Sequence, residues 1–291
     1  MSDTTKVGQG EEGSVIRATD AEHQTPAPRN DAGATNHNTF FEFRDVNKGF
    51  DDRMVLNDVS FVVRRGQTCV IMGRSGVGKS VTLKCILGIL RADAGRIFVD
   101  GQDVTYAHGR GRDAMLRKFG MLFQGAALFD SLPVWENVAF GLIQGRGMGR
   151  RRARDIAIEK LAKVGLGAEV GELWPAELSG GMQKRVGLAR AIAADPEIIF
   201  FDEPTTGLDP IMADIINDLI ISTVKDVGAT ALSITHDMVS ARKISDRIAM
   251  LYGGKIIWTG PTGDIDHTGN PYVDQFIHGR AEGPIKMAVK A

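Results

Sequence analysis

Residues 73–80 read GRSGVGKS, which fits the pattern G-x-x-x-x-G-K-S. An apolar stretch, GQTCVIMG at residues 66–73, leads into this segment, and apolar residues recur at helical spacing between Leu83 and Leu90 after it. The sequence therefore predicts a buried strand, a glycine-rich turn and a helix. The backbone N–H groups of such a turn, together with the positive N-terminus of the helix, form a binding site for phosphate groups.

Each residue type in this phosphate-binding loop has a physical role. Gly73, Gly76 and Gly78 allow the backbone to curl so that its N–H groups point inward. We expect Lys79 to reach the β- and γ-phosphates of a nucleotide and the Ser80 hydroxyl to coordinate Mg²⁺. A glycine-rich turn that arose by chance is the alternative, and the flanking strand and helix disfavour it.

Composition and charge narrow the class of protein. The chain has 291 residues, of which 43% are hydrophobic, and a formal net charge of −1, which does not favour a nucleic-acid-binding protein. Its two cysteines imply no disulfide framework and favour a reducing compartment. The first residues lack a signal-peptide pattern, and no apolar run approaches the ~20 residues that span a bilayer. We therefore predict a soluble, cytoplasmic chain that would depend on another subunit for any membrane-spanning part.

Strand and helix patterns divide the chain into segments. Residues 1–38 are polar and aperiodic, which predicts a disordered tail. Residues 39–278 predict an α/β domain, because strands alternate with helices as in a mostly parallel sheet covered by helices. Between about 131 and 182 the patterns are helical only, which predicts an α-helical insertion. Residues 279–291 are predicted to form a C-terminal tail.

Two acidic residues follow an apolar strand pattern in EIIFFDEPTTGLDP, residues 197–210. Ligands bind parallel sheets at the C-terminal ends of the strands. We expect Asp202 to belong to the Mg²⁺ shell and Glu203 to orient or deprotonate an attacking water molecule. A simple boundary between a strand and a turn is the alternative for an isolated Asp-Glu pair, and the phosphate-binding loop earlier in the chain disfavours it.

Two further polar residues follow apolar strand patterns. His236 closes the pattern ALSITH, and we expect it to hydrogen-bond the γ-phosphate and the carboxylate of Glu203. Gln124 follows MLF at residues 121–123, and its amide is expected to contact Mg²⁺ or the attacking water. A lone histidine after a strand is more often structural, so only the whole set of residues supports these roles.

A second anion-binding pattern lies at residues 178–191, LSGGMQKRVGLARA, where a Ser-Gly-Gly turn leads into a helix. GRSGVGKS, Gln124, LSGGM, FFDEPTTGLDP and THD occur here in the order and spacing of the ATP-binding cassette ATPases. The chain resembles this family over about residues 40–260. The resemblance implies a P-loop NTPase with a RecA-like, mostly parallel sheet, an N-terminal antiparallel β subdomain and an α-helical insertion subdomain. It also implies hydrolysis of ATP, with Mg²⁺, coupled to transport.

The resemblance assigns expected roles to individual residues. Phe50 would stack on adenine, although a strand-end core residue is the alternative for it. Glu203, His236 and Gln124 would be catalytic, and Ser80, Gln124 and Asp202 would hold the metal. The residues expected to contact ATP within the chain are Phe50, Gly73, Arg74, Ser75, Gly76, Val77, Gly78, Lys79, Ser80 and Val81.

In this family the LSGG segment caps the γ-phosphate of ATP held by a second copy of the chain. The resemblance therefore implies a homodimer around two ATP molecules, in which Ser179, Gly180, Gly181 and Asp209 contact the partner's nucleotide. Met182 departs from the family pattern, which usually has glutamine here, and this puts one polar contact across the interface in doubt. Gln183 is a candidate for part of that role.

Finer resemblance concerns three segments: residues 121–140, Met182 and residues 270–285. They are similar to the ATPase of lipid-trafficking Mla/Mce-type transporters. This implies phospholipid traffic between inner and outer membrane, a position on the cytoplasmic face of the inner membrane, and a C-terminal tail that either reaches a partner subunit or is disordered. The implied partners are membrane permease subunits, a membrane-anchored lipid-binding subunit and a small regulatory subunit, with no nucleic acid.

Two alternatives remain open for the transported substrate and the protein class. An ATPase subunit does not contact the cargo, so transport of an amino acid or an ion is the first alternative. The second is a cassette protein that acts on ribosomes or DNA. The single cassette and the near-neutral charge of the chain disfavour this second alternative.

Overall fold

The structure, a computed structural model, describes residues 38–286. Apart from Asn38, the predicted N-terminal tail lies outside the described residues, as do residues 287–291 of the predicted C-terminal tail. The strands are β1 Thr39–Phe50, β2 Arg53–Arg64, β3 Thr68–Met72, β4 Ala94–Val99, β5 Gln102–Asp103, β6 Phe119–Leu122, β7 Ile198–Asp202, β8 Thr230–Thr235, β9 Arg247–Tyr252 and β10 Lys255–Pro261. The α-helices are α1 Lys79–Ile86, α2 Gly109–Leu116, α3 Val134–Phe140, α4 Arg150–Lys163, α5 Gly180–Ile192, α6 Pro210–Val227, α7 Met238–Ile244 and α8 Pro271–Ile277.

These strands form two sheets. An antiparallel sheet has the order β2-β1-β4-β5, and a six-stranded sheet has the order β10-β9-β3-β8-β7-β6. In the second sheet every pair is parallel except β10 with β9. The predicted α/β class, with a mostly parallel sheet and an N-terminal antiparallel sheet, is therefore confirmed.

Burial explains why the two sheets differ in sequence. The central strands β3 and β8 are buried at every position, because helices or the other sheet cover both faces, and each strand places apolar residues in both cores. β1 alternates more, and its buried residues Phe41 and Phe43 cluster with Phe61 of β2, with ring centroids 5.0–6.1 Å apart. This aromatic cluster belongs to the core that lies between the two sheets.

The segment between β6 and β7 contains only helices: α3, a π-helical turn at Gly141–Gly145, α4, two short 3₁₀ turns and α5. The helical character predicted for about 131–182 agrees with this, while the limits of the subdomain stay a prediction. One predicted helix is shorter than expected. α1 ends at Ile86, because Gly88 adopts a left-handed conformation with φ of +63° and its N–H bonds to Cys85 O.

Parallel pairing determines where the predicted functional residues meet. β3, β8, β7 and β6 are adjacent in the sheet and run in the same direction, so their C-terminal ends share one edge. The residues that follow these four strands are, respectively, the 73–80 loop, His236, Glu203 and Gln124. Four distant parts of the sequence thus converge on one site.

The C-terminal residues up to Lys286 fold back on their own chain. Gln275 of α8 is buried, and its amide nitrogen donates hydrogen bonds to Arg280 O and Ile285 O. Its amide oxygen accepts one from Ile285 N at 2.6 Å, and the Ile285 side chain is buried. Within residues 38–286, the structure contains no helix with both the length and the apolar character required to cross a bilayer.

Candidate functional site

Two glycines give the 73–80 loop its shape. A Cβ atom on Gly73 would lie 2.4 Å from Leu251 O, so any side chain here would collide with strand β9. Gly78 has φ of +113° and forms the N-cap of α1, a conformation that L-residues rarely adopt. The loop therefore delivers Lys79 and the first N–H groups of α1 to the end of β3.

Lys79 is buried beneath this loop, with 5% of its side chain exposed. Its ammonium donates to Gly73 O at 2.7 Å and Arg74 O at 3.2 Å, and it lies 3.4 Å from Oε1 of Glu203. These oxygen partners compensate the buried ammonium group for the water molecules that it loses. Phosphate oxygens could replace them, because they are stronger hydrogen-bond acceptors for an ammonium group than neutral carbonyls are.

Glu203 lies opposite Lys79 and is also buried. Its backbone φ of +47° is unusual for a residue with a side chain, and such conformations concentrate at functional sites. Oε2 lies 2.8 Å from Nδ1 of His236 and accepts a hydrogen bond from the Thr206 hydroxyl at 3.2 Å. The other oxygen faces Lys79, so the carboxylate is fixed between a cation and an imidazole.

Asp202 precedes Glu203 and is electrostatically different. Burial raises the pKa of its carboxyl group, the negative charge of Glu203 raises it further, and Lys84 and Lys79 partly offset these effects. Its Oδ1 atom is buried and accepts no hydrogen bond from any described residue. A buried carboxylate oxygen without a partner fits a ligand of a hard cation such as Mg²⁺. Residues 38–286 contain no cluster of three or more acidic, histidine or cysteine residues, and Mg²⁺ typically takes few protein ligands.

A cavity of about 430 Å³ connects these groups. Ten of the predicted residues line it: Phe50, Ser75, Gly76, Gly78, Lys79, Ser80, Val81, Gln124, Glu203 and His236. Gly73 and Arg74 contribute through the carbonyls that hold Lys79, the Val77 side chain packs near Gly73, and Asp202 lies directly before Glu203. Arg53 and Val55 also line the cavity, although the sequence did not identify them. The short turn after Phe50 could have indicated Arg53, because this turn pairs Arg53 with Phe50.

Phe50 forms the outer wall of the cavity. Its side chain is 43% exposed, so it is not the buried core residue that was its alternative interpretation. Lys48 Nζ lies 5.3 Å from the centre of the ring and forms an ion pair with Asp93 at 2.7 Å. Asp93 also accepts a hydrogen bond from the N–H of Gly49 at 2.7 Å. The aromatic ring therefore lines the cavity and is partly exposed, with the ammonium of Lys48 over the ring.

The second phosphate-binding pattern lies elsewhere. Ser179 is exposed and caps α5, where its hydroxyl accepts a hydrogen bond from Met182 N at 3.3 Å. Asp209 is exposed and caps α6. Ser179, Gly180, Gly181 and Asp209 are absent from the described residues that line the cavity. The Gln183 amide nitrogen donates a hydrogen bond to Pro175 O at 3.0 Å, which links α5 to the turn before the LSGG segment. Its candidate role across an interface stays a prediction.

Sequence reasoning missed two basic residues on α5. Lys184 donates a hydrogen bond to Gln124 O, and Arg190 donates to Ala126 O and to Ala127 O, the latter at 2.7 Å. Burial lowers the pKa of both side chains. They attach the helix that begins at the LSGG segment to the loop that carries Gln124. The sequence contained a sign of this role. Lys184 precedes Leu188 by four residues and Ala191 by seven, so helical spacing places its charge on the apolar face of α5.

Comparisons with known proteins agree with this geometry. The model of the ABC transporter family matches residues 56–206. The probable ribonucleotide transport ATP-binding protein mkl of Mycobacterium tuberculosis is 39% identical over 85% of this chain and 68% of its own length. The intermembrane phospholipid transport system ATP-binding protein MlaF of Escherichia coli is 37% identical over 86% of this chain and 93% of its own length.

Solved structures give the same result for the fold. The dimeric structure of a post-hydrolysis state of the ATP-binding cassette MJ0796, bound to ADP and Pi, matches with a TM-score of 0.69 and 30% identity. The match covers 76% of this chain and 98% of that one. Fold, site geometry, family model and relatives agree, and the chain belongs to the ABC transporter family as an ATP-binding ATPase.

Proposed function

We propose that this chain binds Mg²⁺-ATP beside the 73–80 loop, hydrolyses it between two copies of itself, and thereby drives a membrane complex that transports phospholipid. The observation that carries the catalytic part is the arrangement of Lys79, Glu203 and His236. The Glu203 carboxylate lies 3.4 Å from a buried ammonium and 2.8 Å from an imidazole, and all three residues line a cavity of about 430 Å³.

The chain's own residues perform the binding steps. Lys79 exchanges its carbonyl partners for oxygens of the β- and γ-phosphates, while Phe50 stacks on adenine and the 73–80 backbone holds the phosphates. Ser80, Gln124 and Asp202 would hold Mg²⁺, which neutralises charge on the β- and γ-phosphate oxygens. The Oδ1 atom of Asp202 has no hydrogen-bond partner among the described residues, and this supports the ligand set.

The hydrolytic step requires a positioned water molecule. Glu203 orients this water and accepts its proton, because its carboxylate is fixed by Thr206 and His236 and directed toward the cavity. His236, which is half exposed, hydrogen-bonds both Glu203 and the γ-phosphate. Gln124 contacts Mg²⁺ or the water, and Lys184 holds the loop in which it lies.

We propose that the partner in catalysis is a second copy. Ser179, Gly180, Gly181 and Asp209 would contact the nucleotide of that copy. The exposed start of α5 has the features of an anion site, yet it lies outside the lining of its own chain's cavity. A structural relative, MJ0796, is dimeric in the state bound to ADP and Pi, which supports this assembly.

Phospholipid is the proposed cargo because MlaF, named for intermembrane phospholipid transport, matches over 93% of its length. The proposed complex contains membrane permease subunits, a membrane-anchored lipid-binding subunit and a small regulatory subunit. This ATPase would lie on the cytoplasmic face of the inner membrane. Ribonucleotide is the second candidate cargo, because the relative mkl carries that name at 39% identity.

Purification of the complex from membranes and mass spectrometry of its bound ligand test this proposal. The Glu203→Gln variant, which should retain ATP, is used to increase the yield of assembled complex. We expect copurified permease subunits and phospholipid, and phospholipid vesicles should stimulate ATP hydrolysis by the wild-type complex. Recovery of ribonucleotides other than the ATP and ADP of the nucleotide site, without phospholipid, would favour the second candidate and contradict the first.

A further inference from the structure

Beneath the catalytic residues lies a buried network formed by the Thr205 hydroxyl, the Ser240 hydroxyl and the Asn217 amide. The Ser240 side chain is almost fully buried, as is that of Asn217. Ser240 Oγ lies 3.1 Å from Thr205 Oγ1 and accepts a hydrogen bond from Asn217 Nδ2 at 3.0 Å. We call these three residues the Thr205–Ser240–Asn217 network.

The chemistry of the groups fixes the direction of the hydrogen bonds. Asp237 Oδ2 lies 2.5 Å from Ser240 Oγ, and a carboxylate can only accept, so Ser240 donates its single proton to Asp237. Thr205 must then donate to Ser240, as Asn217 does. The Ser240 oxygen therefore makes one donated and two accepted hydrogen bonds, which is its full capacity.

Each member lies on a different element of the catalytic edge. Thr205 is two residues after Glu203, and Ser240 is on α7, which Asp237 caps directly after His236. Asn217 is on α6, the helix that Asp209 caps. A second connection leads from Asp237 back to Glu203. The Asp237 N–H donates a hydrogen bond to Thr235 Oγ1, and this hydroxyl lies 3.5 Å from Glu203 Oε2.

We infer that Thr205, Ser240 and Asn217 are positioning residues, which set the 2.8 Å contact between His236 and Glu203 and link it to the helix that begins at Asp209. None of the three lines the nucleotide cavity among the described residues, so they act through Glu203 and His236 and not on ATP. This inference rests on the catalytic roles proposed above. The network determines how well the water-orienting carboxylate and the imidazole are aligned, a property that affects turnover more than nucleotide binding.

Matched substitutions of Thr205 test the inference in the full-length chain. Thr205→Val keeps the shape of the side chain and removes the hydroxyl, whereas Thr205→Ser keeps the hydroxyl. We expect Thr205→Val to lower kcat for ATP hydrolysis about tenfold with KM for ATP changed less than about twofold, and Thr205→Ser to restore most of kcat. Ser222→Ala, on the exposed side of α6, serves as the control and should retain wild-type kcat.

A double-mutant cycle distinguishes a connected network from separate packing effects. Ser240→Ala and Asn217→Leu should each lower kcat, and the double variant should resemble the more impaired single variant. If Thr205→Val, Ser240→Ala and Asn217→Leu all kept the wild-type kcat and lowered only the thermal midpoint, the inference would be overturned. A loss of kcat in Thr205→Val that Thr205→Ser does not reverse would also overturn it.

Glu203→Gln in the same assay separates this inference from the proposed function. An inactive Glu203→Gln variant beside fully active network variants would refute only the positioning role. A fully active Glu203→Gln variant would refute the catalytic assignment on which both depend. Circular dichroism and nucleotide affinity establish that each variant is folded before its kcat is compared.

Discussion

The chain contains two phosphate-binding elements, and they differ in how complete they are. The 73–80 loop has a buried lysine, neighbouring carboxylates and a cavity of about 430 Å³. The start of α5 has an exposed serine cap, whose hydroxyl accepts a hydrogen bond from Met182 N, and no predicted residue of that segment lines the cavity among the described residues. We propose that the first element is a site within one chain, and that the second is half of a site that a partner completes.

The largest expected effect concerns the element that is complete within one chain. Glu203→Gln should reduce ATP turnover by about 10²–10³-fold, because the amide cannot accept a proton from water. ATP binding should persist, since the amide removes a negative charge close to the phosphates. Steady-state hydrolysis and size-exclusion chromatography with ATP measure turnover and the trapped dimer. Glu282→Gln, at an exposed glutamate, is the control. Turnover near that of the control would contradict the role of Glu203.

Ser179→Arg affects only the half-site. The larger side chain should obstruct the start of α5 and lower turnover by about 10²-fold, comparable to loss of one group that stabilises transition-state charge. The affinity of the isolated chain for ATP should change less than about twofold, because Ser179 does not line its own cavity. Fluorescent-nucleotide titration measures the affinity, with Ser222→Arg as the control. Equal loss of affinity and turnover would show that both elements serve one chain.

Phe50→Ala should have a smaller effect, and on binding. Loss of stacking should raise the Kd for ATP about tenfold, while kcat at saturating ATP changes little. The ring is 43% exposed, so the thermal midpoint should hardly move. Phe50→Trp retains an aromatic face and should bind ATP nearly normally. An unchanged Kd in Phe50→Ala would remove Phe50 from the site.

The smallest expected effect is the pH dependence of stability from Asp202. Burial raises the pKa of its carboxyl group above the value in the unfolded chain, so the charged form destabilises the nucleotide-free protein above the folded pKa. Asp202→Asn should therefore raise the thermal midpoint near pH 7 by ~2–4 °C, and this advantage should shrink as the pH falls toward 4. Mg²⁺-ATP should then stabilise the wild type more than the variant. Calorimetry at several pH values measures the difference, and an advantage that grows toward acidic pH would contradict this account.

The sequence identified the cavity well because its residues follow strands. The positions after β3, β6, β7 and β8 could be recognised from apolar runs, and parallel pairing then brought them to one edge. Contacts that depend on helix packing could not be predicted in this way. Lys184 and Asn217 act across elements far apart in sequence, and no local pattern states which carbonyl or hydroxyl they will meet.

Helix limits and side-chain direction were also beyond the sequence patterns. The apolar spacing up to Leu90 predicted a longer α1, but Gly88 ends the helix at the preceding turn. Gln183 was a candidate for a contact across the interface, yet its amide binds Pro175 O in its own chain. A left-handed glycine decides the first case and a side-chain hydrogen bond the second, and residue spacing alone reports neither of them.

A mixture of two inactive variants tests the division between the two elements most directly. Lys79→Ala damages the nucleotide site at the 73–80 loop, and Ser179→Arg damages the half-site at the start of α5. A homodimer of either variant should therefore be inactive. In a mixed dimer, one of the two sites contains both substitutions, and the other site contains neither of them. Equal mixing makes half of the dimers mixed, each with one intact site of two, so single-turnover ADP formation should recover to about a quarter of wild type. If both elements served the same chain, no intact site could form, and activity of the mixture equal to the mean of its two inactive components would contradict the account.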